Sequence, residues 1–359
     1  MVKCTTALAR AAAALATFAV LSSACAITGA ARETSPPSST PISPIAVNAL
    51  YVVNGGDNSI SIVDTDANVL AGTIALQNVA FPHHIYVSLD KTKLVVAVPG
   101  MDLSAGHEVA HGKAEGGAGG AVLLLDATTG TTIAARRLNA SNHNALFSPL
   151  TGDIWTAQLG APGSVNVLDP TTLEHKQSIT VGVQPAEVTF TPDGKQAFVA
   201  NTGSASVTVV DAINHTVTAT IPVGIDPIGA WQGANGVAYV DNEVDGTLTA
   251  IDTTTLRVLL VYRLGFVPGM AALAPDGTVW VADSYNGKVS VRGAREDTEL
   301  GTIPAGDGAH GIAFSGDGTT AYVSNQAANT VSVIDVRTRQ NKKTLAVGAK
   351  PNGMAWRAK

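Results

Sequence analysis

Residues 320–356 read TAYVSNQAANTVSVIDVRTRQNKKTLAVGAKPNGMAW, and this stretch decides the fold. Apolar and small polar residues alternate from Ala321 to Ser324, pass through a polar turn, and alternate again from Thr330 to Asp335. A third run covers Thr344 to Val347, and after a Gly-Pro connection an apolar fourth run covers Gly353 to Trp356. Val, Ile, Tyr and Thr at a period of two, set between turn residues, predict short antiparallel strands.

Working outward, the same unit recurs about every 42 residues, a spacing that signals one supersecondary unit per repeat. Its other copies begin at Leu50-Tyr51-Val52, Leu94-Val95-Val96, Ile154-Trp155-Thr156, Ala197-Phe198-Val199, Ala238-Tyr239-Val240 and Val279-Trp280-Val281. An Asp closes a strand at Asp64, Asp126, Asp169, Asp211, Asp252 and Asp335, with Arg292 near that place in the sixth copy. Turn signals recur at Pro192-Asp193-Gly194, Pro275-Asp276-Gly277 and Gly316-Asp317-Gly318. Four strands in each of seven copies predict an all-β fold, a seven-bladed β-propeller spanning residues 47–359. The chain enters at a second strand and ends on a first one. Gly353 to Arg357 is therefore expected to complete the blade begun at Leu50, a closure that removes exposed sheet edges.

Composition agrees. Of 359 residues, 45% are hydrophobic and 14% charged, with 36 Gly and 17 Pro, enough for a large core and many tight turns. A formal charge of −6 without any Lys/Arg cluster argues against a nucleic-acid partner, because phosphate binding needs concentrated positive charge.

Residues 1–24 read as an export signal: Lys3 and Arg10 precede the apolar run Ala11 to Leu21, which is too short for a permanent membrane span. Leu21-Ser22-Ser23-Ala24-Cys25 is similar to a bacterial lipobox, with the aliphatic residue one position early, so Cys25 is a candidate lipidation site. The expected location is the periplasm or cell surface, with membrane contact only through that anchor. Cys4 and Cys25 are the two cysteines, which leaves the body without a disulfide framework or a thiolate metal site. Residues 25–46, rich in Ser, Thr, Pro and Ala, are expected to be a flexible tether.

The repeat also sorts the histidines. In a propeller the second-to-third-strand loops and the blade-to-blade connections share one end. The inner-strand segments PHHIYVS, NHNALFS and HGIAFS put His83, His143 and His310 at one repeat position, at the mouth of the channel. His84 follows in its blade, Glu187 fills the corresponding slot two blades on, and Asn352 takes the histidine position in the last. One large insertion, 99–120, reads PGMDLSAGHEVAHGKAEGGAGG and carries His107, Glu108 and His111 to the same end. His175 and His215 fall at the other end. Neutral imidazoles with one or two carboxylates suit zinc or copper. The candidate metal residues are therefore His83, His84, His107, His111, His143, Glu187 and His310. The competing readings of this column are polar packing that closes the channel and an organic-ligand site. His107-Glu108-Val109-Ala110-His111 matches the letters HExxH, but its Gly-rich flanks do not supply the helix on which that peptidase motif works.

Tyr51-Val-Val-Asn, Tyr322-Val-Ser-Asn and the Val-Ser-Val-Ile-Asp run resemble the YVTN-repeat, YncE-like propeller family over the whole body of the chain. That resemblance implies the propeller but no single activity. Exported zinc chaperones of the AztD type, which carry a His-rich loop, are loosely similar. Read together, the residues favour an exported, monomeric, non-catalytic binding protein for zinc or copper, with a metal-delivery or envelope protein as partner. No nucleotide-binding or organic-cofactor motif stands in the chain. The alternatives are an interaction scaffold without metal and a propeller hydrolase such as a lactonase, in which His83, Glu187 and His310 would act as acid and base.

Overall fold

In the computed structural model, which describes residues 35–104 and 119–359, every repeat forms one four-stranded antiparallel sheet, extended in blade 1 by a short fifth strand, and seven such sheets make the propeller. Blade 1 is built from Ala49–Asn54, Ser59–Asp64 and Val69–Gln77, and its inner strand is the C-terminal Pro351–Arg357. The register runs Ala49 opposite Arg357 and Leu50 opposite Trp356, so the ring closes non-covalently as the repeat predicts. Blades 2 to 7 follow in chain order from Ile85, Ala145, Pro185, Pro227, Pro268 and Ala309.

Three side-chain columns explain why this sequence adopts that sheet. Tyr51, Trp155, Phe198, Tyr239, Trp280 and Tyr322 are wholly buried in the packing between blades, where large rings bury the most apolar surface. Asn54, Asn201, Asn242 and Asn325 end the second strand and donate from Nδ2 to hydroxyls five and seven residues on, such as Thr247 and Thr249 at 3.0 Å from Asn242. The strand-closing Asp accepts the amides two and three residues later, as at Asp169 with Thr171 and Thr172, both 2.9 Å. Those amides hold the carboxyls of Asp169, Asp252 and Asp335 below the usual carboxylate range. In blade 6 Arg292 stands in that place, buried, with Asp297 and Glu299 at 3.1 and 3.2 Å.

One segment departs from expectation. Residues 35–46, read from composition as tether, lie along the outer edge of blade 1 and reach blade 2. Ser38–Ser39 pairs with Val69–Gln77, and the amides of Ile42 and Ile45 each donate over 2.9 Å to Thr129 and Thr128 carbonyls. Ile42 and Ile45 also pack on the core shared by these blades. Backbone pairing with an open sheet edge orders residues whose composition alone would leave them loose. Residues 1–34, with the expected export signal and Cys25, and residues 105–118 lie outside the described residues. Among the described residues no helix is long and apolar enough to cross a membrane.

A candidate metal centre at the channel mouth

The inner strands are irregular where the site forms. In blades 4 to 7 the ladder between first and second strands shifts register near the strand start, for example between Pro185 and Val188. The closing strand does the same beside Asn54. Such bulges re-aim side chains at a rim, and here they turn Glu187, His310 and Asn352 inward. In blades 2 and 3 the inner strand starts late, at Ile85–Val87 and Ala145–Phe147, so His83, His84 and His143 precede the regular ladder. His83 and His84 remain anchored through the His83 amide to Ala97 and the Ala97 amide to His84, both 2.9 Å.

These irregularities bring four residues from three blades together. His83, His84 and His143 each offer a ring nitrogen, and the three atoms lie within 4.8 Å of one another. His83 Nε2 and His143 Nε2 are 3.1 Å apart. Glu187 Oε1 sits 2.8 Å from both His84 Nε2 and His143 Nδ1. All four residues are buried, Glu187 completely. Neither approach to Glu187 has hydrogen-bond alignment, and Glu187 Oε2 has no hydrogen-bond partner among the described residues. His143 faces His83 with Nε2 and Glu187 with Nδ1, so the three histidine nitrogens form the group that could hold a cation and Glu187 lies on its flank. Nitrogen ligands held at tetrahedral zinc distances stand roughly 3.3 Å apart, close to the His83–His143 spacing.

His310, also buried, lies beside the group rather than in it, its ring centre 6.1 Å from that of His83. His107, Glu108 and His111 fall outside the described residues. The insertion's entry is nonetheless fixed to the correct end, because Asp102 pairs with Lys350 in the connection leading to the closing strand. His175 and His215 are at the opposite end in exposed pairs with Ser178 and Gln177.

The surroundings hold residues that sequence reasoning missed. Asn144 bonds the backbone of Val188 from both ends of its amide, at 2.8 and 3.2 Å, and so steadies the strand that carries Glu187. Burial, with the Glu187 charge adding to it, pushes the Tyr86 phenol far above its usual range. Trp231 lies with its ring 6.1 Å from His84 and donates from Nε1 to Asp241 Oδ1 at 2.6 Å. Burial, then the charges of Glu243 and Glu187, raise the Asp241 carboxyl to about 8 despite that bond. Asp241 occupies a repeat position held elsewhere by Val53, Ala97, Ala157, Ala200, Ala282 and Ser324. An acid in an apolar column was the available signal.

A family model described as Choice-of-anchor I domain matches residues 49–224, blades 1 to 4 without the closing strand. The periplasmic gluconolactonase of Pseudomonas aeruginosa superimposes with a TM-score of 0.69 at 18% identity, covering 87% of this chain and 99% of that one. Hydrazine synthase from Kuenenia stuttgartiensis gives 0.64 at 18% identity over 86% and 98%. A dihydro-heme d1 dehydrogenase gives 0.63 at 15% identity over 88% and 79%. These likenesses support a propeller family. At such identities the solved structures share the fold alone, and no curated protein matches the chain.

Proposed function

We propose that this chain is an exported, YVTN/YncE-like propeller that binds a transition metal, zinc or copper, through His83, His84 and His143, with Glu187 orienting two of these rings, without itself performing catalysis. The observation that carries this reading is the convergence of three buried histidine nitrogens within 4.8 Å of one another, with the buried Glu187 carboxylate paired to two of those rings. Imidazole with a single carboxylate suits a borderline cation, and burial among fixed loops favours a long-lived site. His310 and the histidines of the 99–120 insertion stand as a second tier at the same end. Export accords with the Choice-of-anchor I match and with a periplasmic protein among the structural neighbours.

The partner reading rests on a different observation. Ile225, Val244, Val267 and Tyr285 are exposed apolar residues on the connections of this same end, Tyr285 at 92%. An apolar rim beside a metal site suits an envelope or metal-delivery protein.

The test is a calorimetric titration of the untagged full-length protein with Zn²⁺ and Cu²⁺ against a competing chelator. One equivalent is expected to bind at micromolar or tighter affinity. His83→Ala/His84→Ala/His143→Ala is expected to bind at least ~100-fold more weakly while retaining its far-ultraviolet spectrum. Equal binding by the variant would sink the assignment.

A further inference from the structure

The seam of the ring runs through the site. Asn352 belongs to the closing strand Pro351–Arg357, is buried, and places Nδ2 2.8 Å from His83 Nδ1. Its backbone is tied on both sides: Ser324 Oγ donates to the Asn352 carbonyl at 2.8 Å, and the Gly353 amide donates to the His83 carbonyl at 2.9 Å. The closing strand therefore holds Asn352 beside His83. The Asn352 amide can, however, turn over in place.

That turn has a chemical consequence. With Nδ2 donating, His83 Nδ1 is the acceptor, so the ring proton sits on Nε2. His83 Nε2 then donates across 3.1 Å to His143 Nε2. In this state the His83 nitrogen facing the cluster has no lone pair for a cation. With the amide reversed, Asn352 Oδ1, which has no hydrogen-bond partner among the described residues, accepts from Nδ1–H. The lone pair of His83 then moves to Nε2, where a metal is held. Metal-bound histidines ordinarily give their other N–H to such an acceptor. Both states use the same heavy-atom positions, so the exchange needs no backbone movement.

Resting on the metal reading above, we infer that Asn352 is the positioning residue for His83: its amide donates when the site is empty and accepts when metal binds, which couples occupancy to the strand that closes the ring. The same repeat position holds His83, His143 and His310 in other blades, and a fourth histidine there could not perform this exchange without also changing its own tautomer.

The experiment measures Zn²⁺ affinity for the full chain and its Asn352→Leu and Asn352→Asp variants, with ¹⁵N chemical shifts of His83 before and after zinc. Leu cannot accept, and a loss of about 10–100-fold is expected, the usual cost of removing an outer-shell partner of a metal histidine. Asp always accepts, so it is expected to match or exceed wild type. In wild type the His83 proton is expected on Nε2 without zinc and on Nδ1 with it. The ¹⁵N shifts need no substitution, so they decide even where a variant fails to fold. Equal affinity in Asn352→Leu, an Asp variant as weak as Leu, or a His83 proton already on Nδ1 without zinc overturns the role of Asn352 while leaving the metal site standing. A wild-type protein that binds no zinc overturns both.

Discussion

Two sets of buried polar side chains occupy this propeller, and they behave differently. The first is the asparagine set, Asn54, Asn201, Asn242 and Asn325, repeated from blade to blade. Each gives its Nδ2 hydrogens to hydroxyls on the neighbouring strand at fixed offsets. The second is His83, His84, His143 and Glu187, contributed by three neighbouring blades, with three ring nitrogens within 4.8 Å of one another and the carboxylate beside them. A polar group that repeats and is bonded locally serves the fold. One that meets others from different blades lacks that explanation, and on the metal reading proposed above a ligand supplies it.

The largest effect that would sharpen this contrast is on metal affinity. Replacing His83, His84 and His143 by Ala removes the nitrogen ligands, and titration is expected to show binding weakened beyond ~100-fold. Glu187→Gln is milder: it keeps the shape and one oxygen but removes the charge, and a drop of about 10–100-fold is expected in the same titration. If Glu187→Gln bound zinc as wild type does, the carboxylate would be a packing group and the contrast would weaken.

Asp241 tests the border between the two sets, since it breaks the repeat but is bonded to Trp231 and Gly229. Its carboxyl is raised from 3.8 to about 8. The folded protein therefore holds a proton that the unfolded chain releases between those values, so the contribution of Asp241 to stability is full below about pH 4 and is lost as pH rises toward 8. Asp241→Asn stays neutral throughout. Its melting temperature is expected to gain on wild type as pH rises from 5 to 8.5, by the equivalent of a few kcal/mol. Parallel melting curves for the two proteins would show that Asp241 ionises freely.

The fold was legible because every blade restates the same argument. A strand missed in one copy is supplied by the next, and the asparagine and aspartate columns mark strand ends independently. Part of the site was legible by the same alignment: one repeat position gathers His83, His143 and His310 although they lie far apart in the chain. The alignment does not tell which way a bulged residue points, and so it did not separate His310, which lies beside the cluster, from Glu187, which pairs with His84 and His143. The roles of Asn352 and Trp231 were hidden for the same reason, because each depends on which neighbour a side chain meets across a blade boundary. Residues 35–46 failed differently. Their composition describes a chain in water, whereas Ile42 and Ile45 find an apolar surface that only the assembled blades provide.

The smallest expected effect comes from the asparagine set and is the control for all the others. Asn201 is bonded at both ends of its amide: Oδ1 accepts from the Gly182 amide at 3.1 Å, and Nδ2 donates to Thr208 Oγ1 at 2.9 Å and to the Ser206 carbonyl at 3.1 Å. Asn201→Ala leaves these buried partners without their bond, which costs about 1–3 kcal/mol by the usual penalty for stranding a buried polar group. Chemical denaturation is expected to show a lower midpoint with an unchanged slope, because no surface newly exposed in the folded state accompanies the loss. Zinc affinity is expected to stay at the wild-type value, since the bonds of Asn201 run to the outer strands and to the connection before blade 4 rather than to the histidines. Zinc affinity that fell together with stability in Asn201→Ala would mean that the repeated and the unrepeated polar sets are one mechanical unit.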